Sequence, residues 1–166
     1  MVAQGASSEQ KLPLLGGCLC GAVRYEVTAV PLGIYACHCK DCQKQSASAF
    51  ALAVPVPRAA FRITAGAPIS WTRKSPSGVT VLSWFCGTCA CRIYGERDGR
   101  PNVLNIRAGS LDDTSWFVDV VHLWTRSAQP WMRFEPGALV HETQPEDFRA
   151  FVASSRQGRT SETSVP

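Results

Sequence analysis

The stretch YACHCKDCQKQ, residues 35–45, decides how this chain is interpreted, because three cysteines fall within six positions. They are Cys37, Cys39 and Cys42. Zinc in proteins usually has four ligands, and a structural site takes all four from the protein. The cluster therefore indicates a metal site. Its fourth ligand comes either from elsewhere in the chain or from a substrate.

Two further cysteine pairs lie on glycine-bearing turns, GCLCG (17–21) and CGTC (86–89). They contribute Cys18 with Cys20 and Cys86 with Cys89. Short C-x-C and C-x-x-C spacings bend around one ion, whereas cysteines one residue apart are poorly placed to form a disulfide with each other. The two pairs therefore predict a closed four-thiolate zinc site that stabilises the fold.

The remaining triplet predicts different chemistry. Three protein ligands with one open position are typical of a catalytic zinc. Three thiolates leave the centre negatively charged, so it activates water weakly and suits a soft ligand such as another thiol, which the metal deprotonates. Lys40 and Lys44 flank the triplet. They are either nearby cations that balance this charge or ordinary solvated lysines.

Two rival fourth ligands stay open at this stage. His38 lies between two of the cysteines, but in an extended segment its side chain points away from theirs. Cys91, two residues beyond Cys89, could close the second site and make both zinc ions structural. Its alternative role is that of a small buried apolar side chain on the strand CRIY.

Composition narrows the class of protein. The 166 residues are 45% hydrophobic with a net charge of +4, and no run of Lys and Arg marks a nucleic-acid groove. The first 15 residues lack the apolar core of a signal peptide, and the longest apolar run contains two prolines. We therefore expect a cytoplasmic protein that binds neither nucleic acid nor membrane. There, eight cysteines favour metal binding; in a secreted protein they would instead favour disulfides.

Short apolar–polar alternations predict a single, mainly β domain over residues 14–153, with a flexible arm at 1–13 and a disordered tail at 154–166. One C-terminal helix is predicted in TQPEDFRAFVASS (143–155), with Thr143 as its N-cap. The predicted strands include AVRYEV (22–27), FALAVPV (50–56), VTVLSWFC (79–86) and CRIYGE (91–96).

With these groups in place, the sequence resembles the glutathione-dependent formaldehyde-activating enzyme (Gfa) family, which includes centromere protein V. The resemblance runs from Gly16 to Trp131. It is carried by GGCLCGAVRYEV, CHCKDCQKQSAS, FCGTCACRIY, IRAGSLDD and HLWTRSAQPW, in the family's order. Two departures are visible, since Ala90 stands where the family usually has glycine and Cys91 where it usually has a small hydroxyl residue.

The resemblance implies a β-tent of antiparallel sheets held by two zinc ions per chain. The structural zinc would be held by Cys18, Cys20, Cys86 and Cys89, and the catalytic zinc by Cys37, Cys39 and Cys42. It also implies a carbon–sulfur lyase, read in reverse, that joins the thiol of the co-substrate glutathione to formaldehyde.

Five other residues are candidates for the site. Substrate binding is assigned to Lys40, Gln43, Ser46 and Arg107, and proton transfer to His122. Each has an ordinary alternative. Gln43 and Ser46 would cap the next turn, Arg107 would pair with Asp112 or Asp113, and His122 would be a hydrogen-bonded core histidine.

Two alternatives to formaldehyde chemistry stay open. The same zinc enzyme could act on another electrophile in a biosynthetic or detoxification pathway. The protein could instead be a non-catalytic, zinc-stabilised binding module. The sequence is compatible with a homo-oligomer but indicates no interface.

Overall fold

The computed structural model describes residues 10–75, 78–118, 120–148 and 150. Strands dominate these residues, so the prediction of a mainly β protein is confirmed. The elements are β1 (Leu14–Gly17), β2 (Arg24–Val27), β3 (Tyr35–Cys37), α1 (Lys40–Ser46), β4 (Ala51–Pro57), β5 (Phe61–Ala65), β6 (Ile69–Lys74), β7 (Thr80–Phe85), β8 (Arg92–Arg97), β9 (Val103–Arg107), β10 (Val121–Leu123) and β11 (Val140–His141). They fall into two compact units.

The first unit comprises the described parts of residues 1–31 and 56–118. Within it, β2 lies between β1 and β5, and both pairings are antiparallel. Strands β6 to β9 pair antiparallel in the order β9-β8-β7-β6. The apolar–polar alternation that predicted these strands reflects half-buried sheet faces, since residues along β9 alternate between partly exposed and buried.

Aromatic rings form much of the first unit's core. The Tyr25 and Phe61 ring centroids are 5.3 Å apart, and Phe61 lies 4.8 Å from Tyr94. The Tyr25 hydroxyl also forms a 2.8 Å hydrogen bond with Ser110 Oγ. Gly16 packs against this pair so closely that an added Cβ would clash with the Tyr25 hydroxyl and the Ser110 carbonyl. The strands that carry the two cysteine pairs are thus fixed by a shared, well-packed core.

The second unit comprises the described parts of residues 32–55 and 119–166. Its strand order is β11-β10-β3-β4. The resemblance implies antiparallel sheets, whereas the pairing here is mixed, because β3 and β4 are antiparallel but β10 runs parallel to both β3 and β11. A core cluster of Val121, Leu123 and Phe148, with Tyr35, Trp124 and Leu139 packed against it, supports the sheet. This parallel pairing joins strands far apart in sequence, which local patterns do not predict.

Helix α1 follows β3 and was not predicted. Its N-cap is Cys39, whose Sγ accepts a hydrogen bond from the backbone N–H of Cys42 at 3.4 Å. Asp41 in the first turn and Lys44 in the last complement the helix dipole. Ala47 ends the helix in the left-handed conformation, with φ of 48°. The helix thus carries two of the three clustered thiols at its start.

The predicted N-cap of the C-terminal helix is wrong. The backbone of Thr143 is engaged elsewhere, since its carbonyl accepts a hydrogen bond from the N–H of Trp124. Asp147 caps instead, because its Oδ1 accepts a 2.9 Å hydrogen bond from the N–H of Ala150, and the helical residues begin at Phe148. The rest of the predicted helix lies outside the described residues.

The predicted N-terminal arm, C-terminal tail and domain bounds stay predictions. Residues 1–9 and 151–166, which hold most of the predicted arm and the whole predicted tail, lie outside the described residues. The single zinc domain over 14–153 stays a prediction. In the part of the chain that the structure describes, no helix is long and apolar enough to cross a membrane.

Candidate metal centres

Four thiols of the first unit converge on one point. The Sγ atoms of Cys18, Cys20, Cys86 and Cys89 all lie within 4.8 Å of one another. Cys18 Sγ is 3.5 Å from Cys20 Sγ, which is 3.7 Å from Cys86 Sγ. A tetrahedron with metal–sulfur bonds of 2.3 Å has edges of about 3.8 Å. The four sulfurs therefore fit a tetrahedral zinc ion.

Backbone hydrogen bonds shape the two turns that carry these thiols. The N–H of Cys18 donates to the carbonyl of Val23 at 3.0 Å, and the N–H of Cys86 donates to the carbonyl of Cys91 at 2.9 Å. Cys18 Sγ in turn accepts from the N–H of Val23 at 3.2 Å. Burial acts to raise the pKa of Cys18, but this N–H and the neighbouring thiols outweigh it and lower the pKa to about 6. The first turn thus stabilises the thiolate form of Cys18.

The second unit brings Cys37, Cys39 and Cys42 together, with their Sγ atoms also within 4.8 Å of one another. Cys37 is buried at the end of β3, and the other two are half-buried at the start of α1. Hydrogen bonds from the thiols of Cys37 and Cys42 hold the pKa of Cys39 far below its ordinary value. The thiol hydrogen bonds with Cys39 and Cys42, together with burial, raise the pKa of Cys37. The three sulfurs are therefore close enough to bind one metal ion as thiolates.

Neither rival ligand joins a thiol group. Among the described residues, the second group contains no histidine, aspartate or glutamate, so His38 is outside it. His38 is fully buried, and its Nε2 lies 3.0 Å from His122 Nδ1. Cys91 is absent from the four-thiol group, and its Sγ is 3.9 Å from the carbonyl oxygen of Arg92. Within the part of the chain that the structure describes, the triplet thus has three protein donors.

Gln43 ties the cysteine-bearing segment to a distant turn. Its Nε2 donates to the carbonyl of His38 at 2.6 Å and to that of Ser127 at 2.8 Å. Its Oε1 accepts from Gln129 Nε2 at 2.8 Å and from Lys40 Nζ at 3.4 Å. The His38 carbonyl lies between two of the clustered cysteines in the chain. Gln43 was predicted as a substrate contact, and the structure engages its whole carboxamide in positioning the thiols.

Lys40 and Ser46 are also held by internal contacts. Lys40 Nζ donates to the carbonyl of Ser127 at 3.2 Å, which fixes its charge beside the start of α1. Ser46 Oγ donates to the carbonyls of Cys42 at 2.8 Å and Phe50 at 2.9 Å. Sequence reasoning did not single out Ser127 and Gln129, although both lie in the motif HLWTRSAQPW.

Arg107 belongs to the first unit, at the end of β9. Its Nε is buried and has no hydrogen-bond partner among the described residues, and its Nη2 lies over Gly95. The alternative ion pair with Asp112 is not formed, because Asp112 pairs with Arg24. A carboxylate-binding role for Arg107 stays a prediction.

His122 and Cys37 leave their strands on opposite faces. In the parallel pairing of β10 with β3, Leu123 aligns with Cys37, and His122 aligns with Ala36. Successive residues of a strand point to opposite faces, so His122 lies on the face away from the Cys37 side chain. The rings of His38 and Phe134 pack against it at 5.3 Å and 4.8 Å. Burial lowers its pKa. Proton transfer by His122 stays a prediction.

Both thiol groups lie within the residues that the sequence profile of a known family matches. A sequence profile described as glutathione-dependent formaldehyde-activating enzyme, GFA, matches residues 13–127, more than half of the chain. The chain belongs to the glutathione-dependent formaldehyde-activating enzyme family. The matched range includes all seven clustered cysteines and ends at Ser127, which accepts a hydrogen bond from Gln43.

A solved structure also resembles this Gfa-family chain. A protein of Rhodobacter sphaeroides is 24% identical, with a TM-score of 0.49, and the match covers 60% of this chain and 89% of that one.

Ala90 adopts a conformation that suits glycine better, and this Gfa-family chain departs from the usual glycine there. Its φ is 58°, in the left-handed region, while its N–H donates to the carbonyl of Cys86 at 2.9 Å. A Cβ in this conformation costs about 1 kcal/mol. We expect Ala90→Gly to stabilise the zinc-loaded protein by about that amount, measured by chemical denaturation. Ala67→Gly, at an exposed position outside the left-handed region, is the control; a loss of stability in both variants would contradict the argument.

Gln43→Leu should weaken metal binding at the triplet without affecting the four-thiol group. Removing a residue that positions metal ligands typically lowers metal affinity about 10- to 100-fold. Competition with a chromogenic chelator would resolve two classes of zinc, one of them weakened in the variant. Lys44→Leu, at the exposed next position of α1, is the matched control. Unchanged affinity of both classes in Gln43→Leu would show that the clamp does not position the thiols.

Proposed function

We propose that this protein is a zinc-dependent carbon–sulfur lyase, working in the synthetic direction, that activates glutathione for addition to formaldehyde or a similar small electrophile. The observation that carries the proposal is the group of three thiols. Among the described residues, no fourth histidine, cysteine or carboxylate ligand completes it. Family membership supports the reaction class.

In this proposal the two thiol groups have different roles. Cys18, Cys20, Cys86 and Cys89 would hold a structural zinc, and Cys37, Cys39 and Cys42 a catalytic one. A zinc ion bound by the triplet supplies a positive charge that favours the thiolate form of an incoming thiol. Gln43 fixes the segment that carries the ligands. The ammonium of Lys40, held beside α1, offsets the negative charge that the thiolates accumulate.

The new bond joins the thiol sulfur to the carbonyl carbon of the electrophile as the carbonyl π bond breaks, and the oxygen takes up one proton in place of the one that the thiol has lost. Placing the two reactants side by side lowers the entropic barrier, and the lowered thiol pKa supplies the nucleophile. The proposal does not depend on His122, because its side chain leaves the sheet opposite Cys37. The proposal also includes a β-tent architecture and a cytoplasmic location. It further includes carboxylate binding by Arg107 and the absence of nucleic-acid partners.

Cobalt substitution tests the proposal. Glutathione is added to the cobalt-loaded protein while the visible d–d and thiolate charge-transfer bands are followed. We expect a saturable change in wild type and in Cys91→Ser, whose thiol lies outside both groups. The rate of adduct formation with ¹³C-formaldehyde is then compared with the uncatalysed rate.

The outcomes separate the candidate functions. Bands that no thiol changes would indicate two saturated sites and favour the non-catalytic binding module. Thiol binding without acceleration of the formaldehyde reaction would retain the zinc enzyme and exclude formaldehyde as its electrophile.

A further inference from the structure

Gln45, on α1, has a side-chain carboxamide that forms no hydrogen bond with the described residues. Both Nε2 and Oε1 are buried, and neither has a hydrogen-bond partner among the described residues. Buried polar side-chain atoms are nearly always hydrogen-bonded, because an unpaired buried donor or acceptor loses its contacts with water without compensation. Two orphaned atoms on one amide therefore indicate a partner from outside the chain.

The position of Gln45 relates it to the thiol triplet. It follows Cys42 by three residues in α1, so the two side chains lie on the same helix face, with Cβ atoms about 5–6 Å apart. The α1 residues offered earlier as substrate contacts are occupied within the protein. Lys40, Gln43 and Ser46 each hydrogen-bond to nearby carbonyl or amide groups. Gln45 combines an unused amide with a place beside a candidate metal ligand.

The chemistry of a carboxamide defines its complement. It offers an NH2 group as donor and one oxygen as acceptor, which match the C=O and N–H groups that peptide amides carry. A peptide thiol carries amide groups a few bonds from its sulfur, whereas a simple alkyl thiol carries none. A site built to hydrogen-bond a group strongly rejects an analogue that lacks it.

We infer that Gln45 is a specificity-determining residue that selects an amide-bearing thiol over a simple alkyl thiol at the triplet. The inference rests on the proposed function, since it requires a thiol to bind beside Cys42. Gln45 Oε1 accepts a hydrogen bond from an amide N–H of the thiol, which is the group that the ester lacks, and Gln45 Nε2 is left to donate to a separate carbonyl group of a peptide thiol.

A matched pair of thiols tests this assignment. N-Acetylcysteamine carries an amide, and 2-mercaptoethyl acetate is its ester isostere without the N–H. Each is titrated into the cobalt-loaded, full-length protein, and affinity is read from the thiolate charge-transfer band. We expect wild type to bind the amide about tenfold more tightly than the ester, the effect of one buried hydrogen bond. Gln45→Leu should abolish this preference, and Lys44→Leu should retain it.

Each other outcome overturns the inference in a distinguishable way. The inference fails if wild type binds both thiols equally, or if Gln45→Leu retains the preference. A buried water would then supply the missing hydrogen bonds of the Gln45 carboxamide, and the proposed function would stand. If neither thiol changes the cobalt bands, the proposed function fails and the inference fails with it. Gln45→Ala gives a second variant should Gln45→Leu fold poorly, and the wild-type comparison needs no variant.

Discussion

Cys39→Ser should abolish turnover while leaving the protein folded. Cys39 contributes one of three thiols at the candidate catalytic centre and also caps α1 through its sulfur. Loss of residues that merely position metal ligands costs about 10- to 100-fold, so loss of a ligand from a three-ligand site should exceed a hundredfold. A serine hydroxyl still caps a helix, which limits the effect on α1. Adduct formation with glutathione and formaldehyde, and zinc content per chain, measure the result.

The matched control is Cys91→Ser, which makes the same chemical change at a half-buried thiol outside both groups. It should retain full activity and two zinc ions per chain. Circular dichroism of both variants should match wild type. Full activity in Cys39→Ser would exclude the triplet as the catalytic centre, whatever its metal content.

Cys86→Ser should cause a large loss of stability, whereas Cys39→Ser should leave the protein folded. Cys86 is 1% exposed, and its Sγ lies 3.7 Å from that of Cys20, on the other cysteine turn of the first unit. Structural zinc sites contribute their binding free energy directly to folding. Because such binding is worth about 10–16 kcal/mol in small zinc-dependent peptides, losing one of four ligands should remove a large part of the free energy of unfolding. Thermal unfolding and near-ultraviolet circular dichroism would report the loss of tertiary packing in the first unit.

Metal removal provides an independent check of the same site. A strong chelator should lower the melting temperature of wild type to near that of Cys86→Ser, and have little further effect on the variant. If Cys86→Ser melts with wild type while a chelator still destabilises both proteins, the four-thiol group does not hold the stabilising metal.

The thiol groups could be predicted because cysteines close together in the sequence form most of each group. C-x-C and C-x-x-C spacings define a turn and a donor set within a few residues, and sulfur chemistry restricts the metals that fit. Most strands could also be predicted, since alternation along one strand records which face is buried. β2 at Arg24–Val27 lies within the predicted strand AVRYEV, and β8 at Arg92–Arg97 overlaps the predicted strand CRIYGE (91–96) in all but its last residue.

What could not be predicted depends on partners distant in sequence. Gln43 meets Ser127 and Gln129 across 84 and 86 positions, and no local pattern links them. Helix α1 has seven residues, and only Gln43 among them is buried, so it lacks an apolar periodicity. A thiol at the N-cap is also outside the usual signals. Thr143 was misassigned because its backbone pairs with Trp124, a contact formed between separate segments.

The second unit is built from two separate segments of the chain, and this affects how the unit assembles during synthesis. Residue 43 leaves the ribosome 84 positions before Ser127, its hydrogen-bond partner. At roughly 5–20 residues per second, this delay is about 4–17 s. For that time Cys37, Cys39 and Cys42 lack the clamp that positions them, and they are open to oxidants. The synthesis of the segment that contains Ser127, rather than of the cysteines themselves, therefore sets when the hydrogen bonds of Gln43 can position the three thiols.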